Sequence, residues 1–403
     1  MYNKEDDSSN YCNDINGDPQ MARAEYVGVT LPLDLAFMVH LTHVLDSHRE
    51  NDLSLVNDAI QCIRYHAKSK GVNMATFKAY SRKQMISSLV KLYQLENMVP
   101  INMTVKLRRG TEVSIPTFNM KEKILTMLGN KNLMKPENYA SNYDIFTGAP
   151  TDPTKASILD EFHTGDAWKE ALAIYKGDRD EVFPLGLVLF YDKTHTDLFG
   201  VLSCSPIIGS FTLFNEKCRN NTQFWETFGY IPNLNLDSNR ASNDASDNIQ
   251  DEHDCLCCFM DQLTEIQRDG GIRTIVAGRQ VTVIVWIHVI TGDNIGHNQL
   301  CGHFNRYGCK YGYRDCRCTH DMLDNSSPEC QRVTIQEYNV ALKNGTLESD
   351  YSKYPIESAF ANVHVSDQTH GLLGCLPGEM LHVSGVGIMK HQMECLSNMI
   401  GGD

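Results

Sequence analysis

Three acidic residues are placed where carboxylates can do chemistry. In "PLGLVLFYDKTHTD" a strand-like apolar run, Leu185 to Tyr191, stops on Asp192. In "VTVIVWIHVITGDNIGH" a mostly β-branched or apolar run, Val281 to Ile290, leads to Asp293. Each run reads as a buried strand that delivers one acid to its end. A third acid is expected from a later helix packed on the same sheet. In "GCLPGEMLHVSGVGIMKHQMECL", Pro377 suits a first helical turn and Glu379 lies just inside it. Carboxylate oxygens are the ligands that hard cations such as Mg²⁺ and Mn²⁺ prefer. Two such ions, roughly 4 Å apart, activate an attacking oxygen and stabilise a leaving one with no covalent protein nucleophile. Asp192, Asp293 and Glu379 are therefore the expected catalytic residues and metal ligands for phosphoryl transfer.

Each assignment has a plainer counterpart. An Asp after a strand also starts a turn, and a Glu near a helix N-terminus is favoured by the helix dipole alone. Asp197, in the more polar "KTHTD" turn, is the alternative to Asp192, and Glu394 is the alternative to Glu379. Gly385 and Gly387 weaken that last helix by about 1 kcal/mol each relative to alanine.

The elements that must hold these acids read as a mixed α/β fold. From residue 184, three strand-like runs, "LGLVLFYD", "FGVLSCSPIIG" and "SFTLFN", come close together. A polar, acidic stretch follows and reads as a surface loop over 235–254. Then "CLCCFMDQLTEIQRDGG" places Leu256, Phe259, Met260, Leu263 and Ile266 on one helical face before a Gly-Gly stop. Cys255, Cys257 and Cys258 fall on this helix and read as core. Three strands, a helix and a strand ending in an acid form the order of a ribonuclease-H-like sheet with flanking helices. We divide the chain into a disordered acidic tail (1–25) and a mostly helical, partly basic N-terminal region with a β-like hairpin turning at Arg109-Gly110 (26–150). The first part of the core (151–300), a Cys/His-rich insertion (301–372) and a Glu379-bearing C-terminal helix (373–403) follow.

The insertion concentrates seven soft ligands, Cys301, His303, Cys309, Cys316, Cys318, His320 and Cys330. They suggest a structural Zn²⁺, although the spacing matches no standard Cys-x2-Cys finger and leaves the ligand set open. Free thiols in a loosely folded loop are the competing reading.

The chain has 403 residues, enough for two or three domains, and a net charge of -14, which argues against a general nucleic-acid binder. The distribution of charge matters more than its sum. Between Arg64 and Arg109 ten bases face a single acid, Glu96. Arg82, Lys83, Arg108 and Arg109 are the phosphate contacts expected there, against the plainer reading of a solvated helix face. The polar, acidic start is neither a secretory signal nor a transit peptide, and the longest apolar run is too short to span a bilayer. The fourteen cysteines then read as reduced thiols. No membrane association is expected, and the chain reads as intracellular.

Several motifs in order, "GLVLFYDKTHTDLFG", "FGYIPNL", "GDNIGHNQLCGHF" followed by "CRC", and "GCLPGEMLH", resemble eukaryotic cut-and-paste DDE transposases of the CACTA-like and plavaka-like group. The likeness runs from about residue 92 to 400. It implies a ribonuclease-H-like core, a Mg²⁺ or Mn²⁺ pair, and DNA as partner, both transposon ends and target. It also implies a homo-oligomer and a nuclear location, with the cytoplasm as the default in the absence of a clear import signal. Asp192 matches the first acid, Asp293 the second, and Glu379 the acid before Leu-His. Asp367 to His370, "DQTH", fits an element that related transposases carry before the last acid. Two rival readings share these residues: a catalytically inactive transposon-derived DNA-binding or scaffold protein, and a nuclease without strand transfer.

Overall fold

The computed structural model describes residues 25–26, 29–30, 87, 99–108, 110–152, 154, 161–195, 203–234, 245–304, 309–319 and 332–377. The helical patterns read over 33–95, Arg82, Lys83, Arg109, His320, Cys330 and Glu379 lie outside these residues. The chain divides into two units, Met1–Val99 and Pro100–Asp403. In the first, β1 (Glu25–Tyr26) pairs antiparallel with β2 (Val29–Thr30).

The second unit is built on an eight-stranded mixed sheet. Its strands are β3 (Ile101–Lys106), β4 (Glu112–Thr117), β5 (Val182–Tyr191), β6 (Thr194–His195), β7 (Ser203–Phe211), β8 (Glu226–Pro232), β9 (Ile272–Val276) and β10 (Arg279–Thr291). The order is β3-β4-β8-β7-β5-β10-β9, with β6 on β7. The hairpin expected around Arg109-Gly110 is present as β3 and β4, and Gly110 takes the left-handed φ of +81° that its turn requires. This hairpin joins the sheet through Thr117 and Gly229. Residues 100–150 therefore belong with the core, and the boundary expected at 150 falls at 99/100.

β5, β7 and β8 are antiparallel neighbours, while β10 runs parallel to β5 on its other side. Parallel strands need a crossover, and α4 (Ala245–Arg268) supplies it. β9 adds a hairpin before β10, turned by Ala277 and Gly278, both at positive φ as a tight two-residue turn demands. Alternation along β5 sends Leu189 and Tyr191 toward Leu256 and Met260 of α4. The opposite face receives α2 (Asp166–Tyr175), whose Trp168 lies where a side chain on Gly186 would stand. With helices on both faces, β5 is buried at nine of its ten positions, which is why it reads as a continuous apolar run.

Two expectations need correction. The third strand is Glu226–Pro232, not "SFTLFN": Ser210 and Phe211 finish β7, and Leu213 and Phe214 bury in the turn after it. Residues 245–254, read as part of an acidic loop, form the first turns of α4. Three of their polar side chains, Gln250, Asp251 and His253, are buried against specific partners. Asp251, 3% exposed, accepts from the Arg108 backbone N–H at 2.6 Å. His253, 1% exposed, accepts at Nδ1 from the Ala359 N–H at 3.1 Å. Hydrogen bonds replace water there, so a helix of polar composition can still pack.

The segment 301–372 is not wholly an insertion. Val365 forms a parallel bridge with Ile287 of β10, through Ile287 N–H to the His364 carbonyl at 3.0 Å and Ser366 N–H to the Ile287 carbonyl at 2.9 Å. Within it, α6 (Ile335–Asn344) opens with a Thr334/Glu337 capping box and closes on Gly345 in the left-handed region. α7 (Leu347–Tyr351) follows. The other helices of the unit are α1 (Met120–Gly129), α3 (Glu216–Arg219) and α5 (Asn294–Leu300).

Candidate active site

β5 and β10 are adjacent and parallel, with Phe190 opposite Thr291. Asp192 follows β5 directly and Asp293 follows β10 after Gly292, so both acids stand at the same ends of adjacent strands. The two exits touch, because a Cβ on Gly292 would overlap the Tyr191 carbonyl oxygen. Only glycine lets the backbones approach so closely just before both acids.

Asp192 does not terminate the pairing of its strand. Tyr191 pairs with Ile207, and the same register resumes at Thr194 with Cys204. Asp192 therefore sits in a two-residue gap, opposite Pro206, which has no N–H to give to a ladder. The interruption frees the chain to turn the acid at mid-sheet, and Asp192 is half-buried there. Asp293 is the N-cap of α5, with Oδ1 accepting from the Gly296 N–H at 2.5 Å. That bond does what a turn-starting Asp does, and it also fixes the direction of the carboxylate.

A further carboxylate, bonded to the residue before Asp192, escaped the sequence reading. Glu252, on the first turns of α4, accepts a hydrogen bond from the Tyr191 hydroxyl. Burial pushes its carboxyl above the usual range, opposed by that bond and by the charge of Lys193. The Tyr191 phenol is in turn held well above its ordinary value, first by burial and then by Glu252. A cavity of about 90 Å³ opens beside them, with Tyr191, Lys193, Glu252 and Gln299 in its wall. The signal was present: Glu252 stands four residues before Leu256 and seven before Phe259, on the apolar face of the helix. The acidic composition around it masked that spacing.

Among the described residues no three His, Cys, Asp or Glu side chains form a metal cage. The structure brings together the turns of Asp192 and Asp293, with the third expected acid outside the described stretch. Asp367 and His370 do form a unit. The Asp367 carboxylate accepts from the N–H groups of Thr369 and His370 at 3.0 and 2.8 Å, and it lies 2.9 Å from His370 Nδ1. Arg108, expected on phosphate, sets its Nε 3.6 Å from Asp254 and remains half exposed.

The soft ligands of the insertion converge only in part. His303 Nε2 and Cys309 Sγ both reach the Tyr311 carbonyl, at 3.1 Å each. Cys301 turns to the Asn298 carbonyl and Cys318 to that of Thr319. Burial and the neighbouring Lys353 push His303 down to about 4. Lys353 itself is 1% exposed, and among the described residues its Nζ has no hydrogen-bond partner. Burial pushes the Lys353 amine below its ordinary value, and any charge it keeps opposes a second cation beside it.

Among the described residues no helix is long and apolar enough to cross a membrane. No curated protein matches the chain. The family model for Plavaka transposase matches residues 99–394, which takes in the sheet, both acid-bearing turns, the Cys/His-rich segment and Glu379. The chain belongs to the Plavaka transposase family, a family of DNA-processing enzymes.

Proposed function

We propose that this chain is a metal-dependent DDE-type transposase that cleaves phosphodiesters at transposon ends and transfers the strand to target DNA. The observation that carries this reading is the exit of Asp192 and Asp293 from adjacent parallel strands, held together by Gly292 against Tyr191. The strand order β8-β7-β5-β10, with α4 as the crossover, supports a ribonuclease-H-like core.

Hard carboxylate oxygens at one sheet edge fit Mg²⁺ or Mn²⁺, and Asp192, Asp293 and Glu379 would hold them. When bound, the metal pair supplies activation of the attacking oxygen and stabilisation of the leaving one. The chain's own contribution is orientation. The cap to Gly296 fixes Asp293, and the interrupted pairing opposite Pro206 lets the chain turn at Asp192. Water attack at a transposon end would release a 3'-hydroxyl, and that hydroxyl would then attack target DNA. The partners are DNA and further copies of this chain, and the nucleus is the place where such a reaction occurs. For Zn²⁺ the insertion offers the converging pair His303 and Cys309, with Lys353 counting against it.

The test is Mg²⁺- or Mn²⁺-dependent nicking and joining of the element's own terminal DNA by the purified chain, beside Asp192→Asn and Glu379→Gln. Nicking and joining that both variants lose would uphold the assignment. Nicking without joined products would make the protein a nuclease. A folded wild type that binds these ends but never cuts them would make it a non-catalytic derivative.

A further inference from the structure

A strand at the edge of a sheet leaves every second pair of backbone groups without a ladder, and natural proteins blunt such edges with charges, prolines or bulges. Among the described residues β3 is an edge of this kind, because the sheet begins at β3 and β3 pairs with β4 alone. From Ile101 to Val105 it carries no charge and no proline, and its pairing with β4 runs without a bulge. The two faces of the strand differ. Ile101, Met103 and Val105 stand opposite Thr117, Ile115 and Val113, which are buried, so this row continues the core face of the sheet. Yet Ile101 is 64% exposed and Met103 39%. Asn102 and Thr104, opposite Pro116 and Ser114, form the polar row. Which backbone groups point outward follows from the turn. The Leu107 N–H donates to the Thr111 carbonyl at 2.8 Å, so by the alternation of an antiparallel ladder Val105, Met103 and Ile101 also direct their N–H and C=O to β4. Asn102, Thr104 and Lys106 direct theirs away from the sheet. Pro116, which has no N–H, accordingly stands opposite Asn102, where no bond between β3 and β4 is made.

We propose that the outer edge of β3 is an interface between two copies of this chain, which pair their β3 strands antiparallel about a two-fold axis through Met103. In that register Asn102 and Thr104 of each copy exchange hydrogen bonds with Thr104 and Asn102 of the other. The Lys106 N–H of each copy meets the Pro100 carbonyl of the other, so the missing proline N–H falls at the end of the ladder. The side chains agree with the backbone. Met103 faces its own counterpart, and Ile101 faces Val105 of the second copy, so the exposed apolar row is covered by the same row. Charge permits the contact, because Lys106, the one charged residue of β3, stands opposite Pro100 and not opposite a second lysine. A two-fold contact also closes on itself. Joining β3 to β9, the edge at the other side of the sheet, where Arg273 and Ile275 are exposed, would be head-to-tail and would propagate. The interface stands whether or not the acids cut DNA. β5 lies four antiparallel steps from β3, so the Asp192 ends of the two copies point in opposite directions.

The experiment measures the mass of the full chain by sedimentation equilibrium over a range of concentrations, without DNA, beside Met103→Lys and Thr104→Pro. The wild type is expected to be an equilibrium of monomer and dimer. Met103→Lys sets two like charges face to face on the axis, and Thr104→Pro removes an outward N–H while leaving the ladder to β4 intact. Each should raise the dissociation constant about tenfold or more, the scale set by losing two buried apolar side chains or two ladder bonds. Met103→Cys tests the register without weakening the contact. Under mild oxidation it should link two chains through position 103, as mapped by mass spectrometry, because facing residues of a non-bonded pair have Cα atoms about 4.5 Å apart, within disulfide reach. Asn102→Cys, whose counterpart is displaced along the strand, should link far less. A wild type that stays monomeric at every concentration overturns the interface, as does a dimer that both Met103→Lys and Thr104→Pro leave at wild-type strength. Linking by Asn102→Cys as ready as by Met103→Cys overturns the register. Polymers that grow with concentration would mean that β3 joins β9, and would overturn the two-fold.

Discussion

The carbonyl oxygen of Tyr191 occupies the space that a Cβ on Gly292 would need. Each residue immediately precedes an acid, so this contact sets how closely Asp192 and Asp293 can approach. Gly292→Ala must push the two strand exits apart or distort one of them. We expect a loss of about 1–3 kcal/mol, the usual cost of overpacking, in urea unfolding. Mn²⁺ binding, followed by electron paramagnetic resonance, should weaken in parallel. A variant with unchanged stability and metal affinity would show that the contact does not govern the site.

Asp293 has two roles that substitution can separate. As an N-cap it bonds the Gly296 N–H, and as a proposed ligand it presents a charge. Asparagine is an equally good cap, whereas alanine costs about 1 kcal/mol. Asp293→Asn should therefore keep its unfolding midpoint and lose DNA nicking, while Asp293→Ala should lose both. Nicking by Asp293→Asn at the wild-type rate would leave the residue with the cap alone.

How much of this was legible depends on where the information sits. Asp192 and Asp293 could be found because central strands covered on both faces must be apolar throughout, and an acid ending such a run is conspicuous. β8 could not: Glu226, Thr227 and Tyr230 share the strand with buried Phe228 and Ile231, so its pattern is broken. The first turns of α4 were hidden differently. Gln250, Asp251 and His253 are polar and buried, and the partners that satisfy them, Glu357, Arg108 and Ala359, are more than a hundred residues away. Composition reports the average environment of a residue type, whereas these positions are decided by hydrogen bonds to particular distant residues.

The buried histidines make the fold acid-sensitive. Burial pushes His253 and His288 down to about 4, against about 6.5 in an unfolded chain. Between those values the unfolded state binds more protons, so stability is complete above about pH 6.5 and is lost as pH falls toward 4. Each group adds up to about 1.4 kcal/mol per pH unit in that window. His253→Gln, which keeps an acceptor for the Ala359 N–H, should remove about one proton from the slope measured by urea unfolding at pH 7, 6 and 5. An unaltered slope would mean that the imidazole is protonated in the native state.

Glu252 reverses that sign. Its folded carboxyl is raised by burial, so above the unfolded value of about 4.5 the folded state holds the proton more tightly than the unfolded one. Stability from this group is present at low pH and is lost as pH rises through the folded value. Glu252→Gln keeps an acceptor for the Tyr191 hydroxyl and removes the charge. The variant should therefore be more stable than the wild type, with a larger gain at pH 8 than at pH 5. Nicking separates two explanations for retaining a costly acid beside Tyr191 and Lys193. If Glu252 serves the reaction, the stabilised variant cuts DNA more slowly, as expected where a functional site holds strain. If it only orients Tyr191, the variant gains stability and cuts at the wild-type rate. A variant less stable than the wild type at pH 8 would contradict the raised carboxyl on which both explanations depend.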